Sequence, residues 1–101
     1  MNISEIKKLA EKGLPEMIEI RRHLHRNPEL SYQEFETTEY ILGKLEELDI
    51  PADRPLETGC VGIIKGGVES NKVVALRADI DALPISEEGD HKADFLSQNE
   101  G

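Results

Sequence analysis

The sequence predicts an α/β fold: two N-terminal helices followed by a β-hairpin, forming the opening part of a larger α/β domain. Three observations carry this expectation. Apolar residues recur at helical spacing through the first half of the chain. After residue 59 the pattern changes to short continuous apolar runs of the strand type. Glycine and asparagine pairs punctuate the stretch between those runs.

The elements follow in order. Ile3, Ile6 and Leu9 mark one helical face, with Lys and Glu between them. Gly13 reads as a stop, and Pro15 suits the first turn of a new helix. The alternative is one continuous helix kinked at Pro15. Met17, Ile18, Arg21 and Leu24 carry a face onward until Asn27-Pro28, where proline pushes the residue before it out of the helical region. A second helix is expected from Ser31, because Ser31 and Glu34 have capping-box spacing. Its buried stripe is expected to be Phe35, Thr38, Ile41, Leu42, Leu45 and Leu48, with Ile50-Pro51 beyond its end. Residues 60–64 and 72–78 then read as two strands buried on both faces, joined by a turn around Gly66-Gly67 and Ser70-Asn71. After Pro84 the chain is polar, and nothing regular is expected through Gly101.

Length and composition narrow the possibilities. A chain of 101 residues is one domain at most. With two Phe, two Tyr and no Trp, any core must be mostly aliphatic. Twelve basic against 21 acidic residues give a net charge of −9, which argues against nucleic acid and anionic membrane surfaces as partners. No run of about 18 apolar residues is present, so no transmembrane helix is expected. The start, Met1-Asn2-Ile3-Ser4-Glu5, lacks a signal-peptide core, and Cys60 alone cannot form an internal disulfide. The expected location is cytoplasmic. Two helices and a two-stranded hairpin make a poor independent domain, and strands that read as central have no neighbours here to cover their edges. Something beyond these elements is expected to complete the sheet.

The densest chemical cluster is Arg77-Ala78-Asp79-Ile80-Asp81-Ala82-Leu83-Pro84, directly after an apolar run. Ligands in open α/β sheets bind beyond the carboxyl ends of strands. Strand alternation would place Arg77, Asp79 and Asp81 on one side. Two carboxylates there can hold a cation or orient a histidine that does. The plainer alternative pairs Arg77 with one aspartate and leaves the other to cap a turn. His23 and His25, two apart on a helix, point about 200° away from each other and cannot chelate one ion. His91 sits in a polar stretch beside Asp90 and reads as a solvated residue. Cys60 opens an apolar run without a basic neighbour in sequence and is expected to be a buried, inert thiol. The glycines at 59, 62, 66 and 67 do not form a phosphate loop.

Two segments also resemble signatures of a known family. They are Arg21-Arg22-His23-Leu24-His25-Arg26-Asn27-Pro28-Glu29-Leu30-Ser31 with Glu34, and Ala75-Leu76-Arg77-Ala78-Asp79-Ile80-Asp81-Ala82-Leu83-Pro84-Ile85. Thr58-Gly59-Cys60-Val61-Gly62 and Gly66-Gly67 match the stretch between them. The family is a branch of the metal-dependent amidohydrolases of the aminoacylase/carboxypeptidase group, which includes hippurate hydrolase, N-acetyldiaminopimelate deacetylase and auxin-conjugate hydrolases. The resemblance covers about Glu16 to Gly101. It implies an α/β metallohydrolase catalytic domain, of which residues 1–101 form the incomplete N-terminal part, with the dimerisation domain absent. It implies two divalent cations (zinc, manganese or similar) in the full-length enzyme, a small amide such as an N-acyl amino acid as substrate, and homodimers or higher assemblies. The family's metal ligands come from a later His-x-Cys-Gly-His-Asp motif and residues further on, which Phe95-Leu96-Ser97-Gln98-Asn99-Glu100-Gly101 would immediately precede. Arg77 stands where related branches carry a metal-binding His. Asp79, and secondly Asp81, are then expected to be carboxylates that orient metal ligands, with no metal ligand and no cofactor held by this chain itself. An inactive fragment of a hydrolase is thus expected. The alternatives are a stand-alone, non-catalytic binding or regulatory module and a small structural protein without a ligand.

Overall fold

The computed structural model describes residues 2–84. They fall into two compact units, one ending at Pro28 and one spanning Glu29–Pro84. The element order is α1 (Ile3–Arg26), α2 (Phe35–Glu47), β1 (Ala52–Asp53) and β2 (Val61–Gly62). Two helices followed by a two-stranded antiparallel hairpin is the expected order; β2 falls within the expected 60–64, but its partner is Ala52–Asp53 and not the expected 72–78.

The first unit holds α1. Asn2 caps it, its side-chain oxygen accepting from the Glu5 N–H at 2.9 Å. The helix runs unbroken through Gly13 and Pro15, so the single-helix alternative holds and the expected stop at Gly13 does not. Proline inside a helix removes one hydrogen bond, at about 3 kcal/mol. The Glu, Met, Arg and Leu residues that follow are strong helix formers and carry the helix on. It ends where Asn27-Pro28 requires: the Asn27 N–H and its side-chain amide both donate to the His23 carbonyl, at 3.2 and 2.9 Å. No residue of α1 is buried.

The second unit holds the remaining elements. α2 starts at Phe35, not Ser31, because residues 31 and 32 form a turn in which Tyr32 takes a φ of 66°. Glu34 is the N-cap residue but makes no side-chain capping bond, so the Ser31–Glu34 capping box is not formed. The far end of α2 closes in a Schellman arrangement. Asp49, at φ 56°, donates to the Glu46 carbonyl at 3.0 Å, and Ile50 donates to the Leu45 carbonyl at 2.9 Å. Aspartate takes the left-handed position that glycine usually fills, as its short polar side chain permits.

That closure sends the chain straight into β1. Ala52 pairs with Gly62 and Asp53 with Val61, and the Ile63 N–H donates to the Pro51 carbonyl at 2.9 Å. Gly62 approaches α2 closely: a Cβ there would stand 3.4 Å from methyl groups of both Leu45 and Ile50. Arg54 braces the loop, donating through Nε and Nη2 to the Glu57 carbonyl at 3.0 and 2.6 Å and pairing through Nη1 with Glu39 of α2.

The expected partner strand, 72–78, forms no ladder among the described residues. Val73, Val74 and Leu76 are 91%, 88% and 99% exposed. Apolar composition favours a strand only where a neighbouring edge accepts its hydrogen bonds, and among the described residues no edge pairs with this run. The expected stripe of α2 is buried only in part: Thr38 is fully buried, Ile41, Leu42 and Leu45 are half-buried, and Phe35 and Leu48 are exposed. Among the described residues, no apolar side chain is buried, and the buried residues are Glu34, Thr37 and Thr38. The polar stretch after Pro84, including His91 and residues 95–101, lies outside the described residues. No described helix is long and apolar enough to cross a membrane.

Candidate functional site

The two sequence segments with chemical promise meet at one residue, Glu29. Its carboxylate reaches the N-terminus of α2, where Oε2 accepts from the Glu36 N–H at 3.2 Å and Oε1 from the Thr37 N–H at 2.6 Å. With Glu34 as N-cap, these are the second and third helical positions, whose N–H groups an N-cap side chain ordinarily satisfies. Glu29 does that work from five residues upstream of the cap. Its negative charge also faces the positive end of the helix dipole. Burial pushes the Glu29 carboxyl up, but bonds from the Thr37 hydroxyl and from the Thr37 and Glu36 N–H groups outweigh it and hold the acid below its ordinary value.

The main chain of Glu29 makes the second connection. Its carbonyl accepts from the Ala82 N–H at 2.7 Å. Ala82 directly follows Asp81, so the Asp79-Ile80-Asp81 segment is fastened to the residue that caps α2.

Thr38 makes a parallel tie one turn along the helix. Fully buried, its hydroxyl donates to the Glu34 carbonyl at 2.5 Å and accepts from the Gly59 N–H at 2.8 Å. Gly59 sits at φ 82°, in the left-handed region that glycine enters without a steric cost. Glu34, only 9% exposed, has Oε1 buried and without a hydrogen-bond partner among the described residues. It is an acceptor open to a donor.

The expected site residues lie as follows. Asp79 is exposed and paired with Arg77, Nη2 to Oδ1 at 2.8 Å, which is the plainer alternative of Arg77 pairing with one aspartate. Asp81 is exposed as well. Cys60 is half-buried rather than fully buried; burial raises its thiol above the ordinary value, and the nearby Arg54 charge offsets part of that rise. His23 is half-buried and His25 exposed in the last turn of α1. Sequence reasoning missed the roles of Glu29 and of the Thr38 hydroxyl. Each acts across seven residues or more, where local spacing rules give no signal.

Among the described residues, no three His, Cys, Asp or Glu side chains stand close enough to hold a metal ion. The two exposed aspartates, one engaged by arginine, do not fit a dinuclear metal centre by themselves.

No family model matches the chain. Individual proteins do. The chain is 56% identical over 80 residues to a hydrolase of Staphylococcus epidermidis, a match covering 79% of this chain and 20% of that protein. It is 44% identical over 84 residues to a probable hydrolase of Synechocystis, covering 82% of this chain and 21% of that one. The fold superposes on the crystal structure of the Bacillus subtilis YXEP protein, a dinuclear metal-binding peptidase from the M20 family. The TM-score is 0.78 and the identity 48%, over 86% of this chain and 24% of that one. The chain spans about a fifth of the length of the curated relatives it matches. Over that stretch the chain is similar, in both sequence and fold, to hydrolases and to a dinuclear metal-binding peptidase of the M20 family.

Proposed function

We propose that this chain is the N-terminal part of the catalytic domain of a hydrolase acting on N-acyl amino acids or similar small amides, and that it is inactive alone. The observation that carries the reading is the 48% identity and 0.78 TM-score to a dinuclear metal-binding peptidase. Asp79 and Asp81 are the carboxylates that orient metal ligands supplied by the rest of such an enzyme, while Arg77 holds Asp79 in place. Two divalent cations, zinc or manganese, and a homodimeric or higher assembly belong to the full-length protein under this reading.

The test has two arms. The purified 101-residue chain is titrated calorimetrically with zinc and assayed on N-acetyl amino acids; neither tight stoichiometric binding nor turnover is expected. The same residues are then substituted for the matching stretch of the Bacillus subtilis YXEP protein and assayed with zinc or manganese on N-acyl amino acids. Metal-dependent turnover by the hybrid is expected. Turnover by the chain alone would overturn the first half of the proposal, and a folded, metal-loaded hybrid inert on every N-acyl amino acid tried would overturn the second.

A further inference from the structure

We propose that Glu29 is a positioning residue for the segment that carries Asp79 and Asp81, acting by clamping it to the first turn of α2. Three contacts define the clamp. Two carboxylate oxygens take separate N–H groups of α2, from Glu36 and Thr37, so the side chain is held at two points and cannot swing about one bond. The carbonyl of the same residue takes the Ala82 N–H at 2.7 Å. A side chain fixed at both oxygens fixes its own Cα, and through it the direction of the carbonyl that receives Ala82.

The segment needs such a clamp because little else in the unit holds it. Residues 72–78 form no ladder among the described residues, and Val73, Val74 and Leu76 stand in solvent. The Arg77–Asp79 pair joins near neighbours in sequence and ties the segment to nothing else. Exposed ion pairs of this kind are weak. The Ala82–Glu29 bond therefore sets where the two aspartates lie relative to α2. The neighbouring tie, Thr38 to Gly59, passes through a different side chain and holds the hairpin loop instead. Two independent ties in one unit supply an internal control.

The importance of that segment comes from the hydrolase reading, but the test reads amide protection in this chain and needs no turnover. Either proposal can fail without the other. The uniformly 15N-labelled 101-residue chain and its Glu29→Ala and Glu29→Gln variants are compared by amide hydrogen exchange. Glu29→Ala is expected to speed exchange at Glu36, Thr37 and Ala82 by about ten-fold, the size of a lost helix cap, and to leave Gly59 within about three-fold of wild type. Glu29→Gln keeps one carbonyl acceptor and the side-chain length, and is expected to restore most of the Ala82 protection. Two results would overturn the proposal. In one, Ala82 keeps its protection while Glu36 and Thr37 lose theirs. In the other, Ala82 and Gly59 lose protection together in both variants, as general loosening requires. If Glu29→Ala fails to fold, Glu29→Gln decides the matter by the same comparison of Ala82 with Gly59.

Discussion

Replacing Thr38 with valine isolates one hydroxyl at the most buried position described. Valine keeps the branched shape and removes only the oxygen. The Glu34 carbonyl loses one donor but still receives the Thr38 N–H at 3.0 Å, so it is not orphaned. The Gly59 N–H loses the 2.8 Å acceptor that the structure gives it. An unmet buried donor costs about 1–3 kcal/mol, and because Gly59 is half-buried the lower part of that range applies, about 1–2 kcal/mol. At 1.4 kcal/mol per factor of ten, Gly59 amide exchange should then speed by roughly 5- to 30-fold. The assay is hydrogen exchange by NMR, with circular dichroism to confirm that helix content is kept. Thr38→Ser retains the hydroxyl and should retain most of the protection. Gly59 exchange within about two-fold of wild type in Thr38→Val, at unchanged helicity, would refute the bridging role of the hydroxyl.

Three further outcomes are expected. The folded-state acidity of Glu29 is held below its ordinary value of 4.5, so the stabilisation it gives α2 is fully present above pH 4.5 and is lost as pH falls through the lower folded value; protection of the Glu36 and Thr37 amides should be flat from pH 7 to pH 5, and a midpoint near pH 6 would contradict the assignment. Cys60, with its thiol pushed up by burial, should be alkylated at pH 8 more slowly than a free cysteine, and labelling at the free rate would show that the site is open. In a full-length hydrolase carrying this sequence, Asp79→Ala should lower turnover by about 10- to 100-fold with the fold retained, and near-normal activity in excess metal would remove Asp79 from the site.

Helical spacing made both helices legible, and the Asn27-Pro28 stop was visible because proline's restriction on the residue before it is local. Gly13 and Pro15 misled in the preferred reading: strong helix formers on either side override even proline's cost of about 3 kcal/mol, as the one-helix alternative allowed. The hairpin was legible as an element and in its second strand, within 60–64, but not in the partner of that strand. β1 consists of Ala52 and Asp53, neither β-branched, and it pairs because the Schellman closure at Asp49 and Ile50 delivers it to β2. The run at 72–78 has the composition of a strand, yet strand identity depends on a neighbouring edge, which composition does not record. In the site, the pairing of Arg77 with one aspartate was legible as the plainer alternative to a cation site. Glu29 was quoted within a motif but its work was not legible. It caps a helix from seven and eight residues away, and the local capping rule pointed to Ser31.

The burial of Glu34, Thr37 and Thr38, with no buried apolar side chain among the described residues, has a calorimetric consequence. Exposing apolar surface raises heat capacity by about 0.45 cal/K/mol per Å², whereas exposing polar surface lowers it by about 0.26. In the unit Glu29–Pro84 the apolar contribution comes from half-buried side chains such as Ile41, Leu42, Leu45 and Ile50, so melting it should raise heat capacity less than melting a domain with a fully buried apolar core. Its stability curve should be correspondingly flatter. Hydrogen bonds of defined direction, at Glu29 and Thr38, act beside that partial apolar packing.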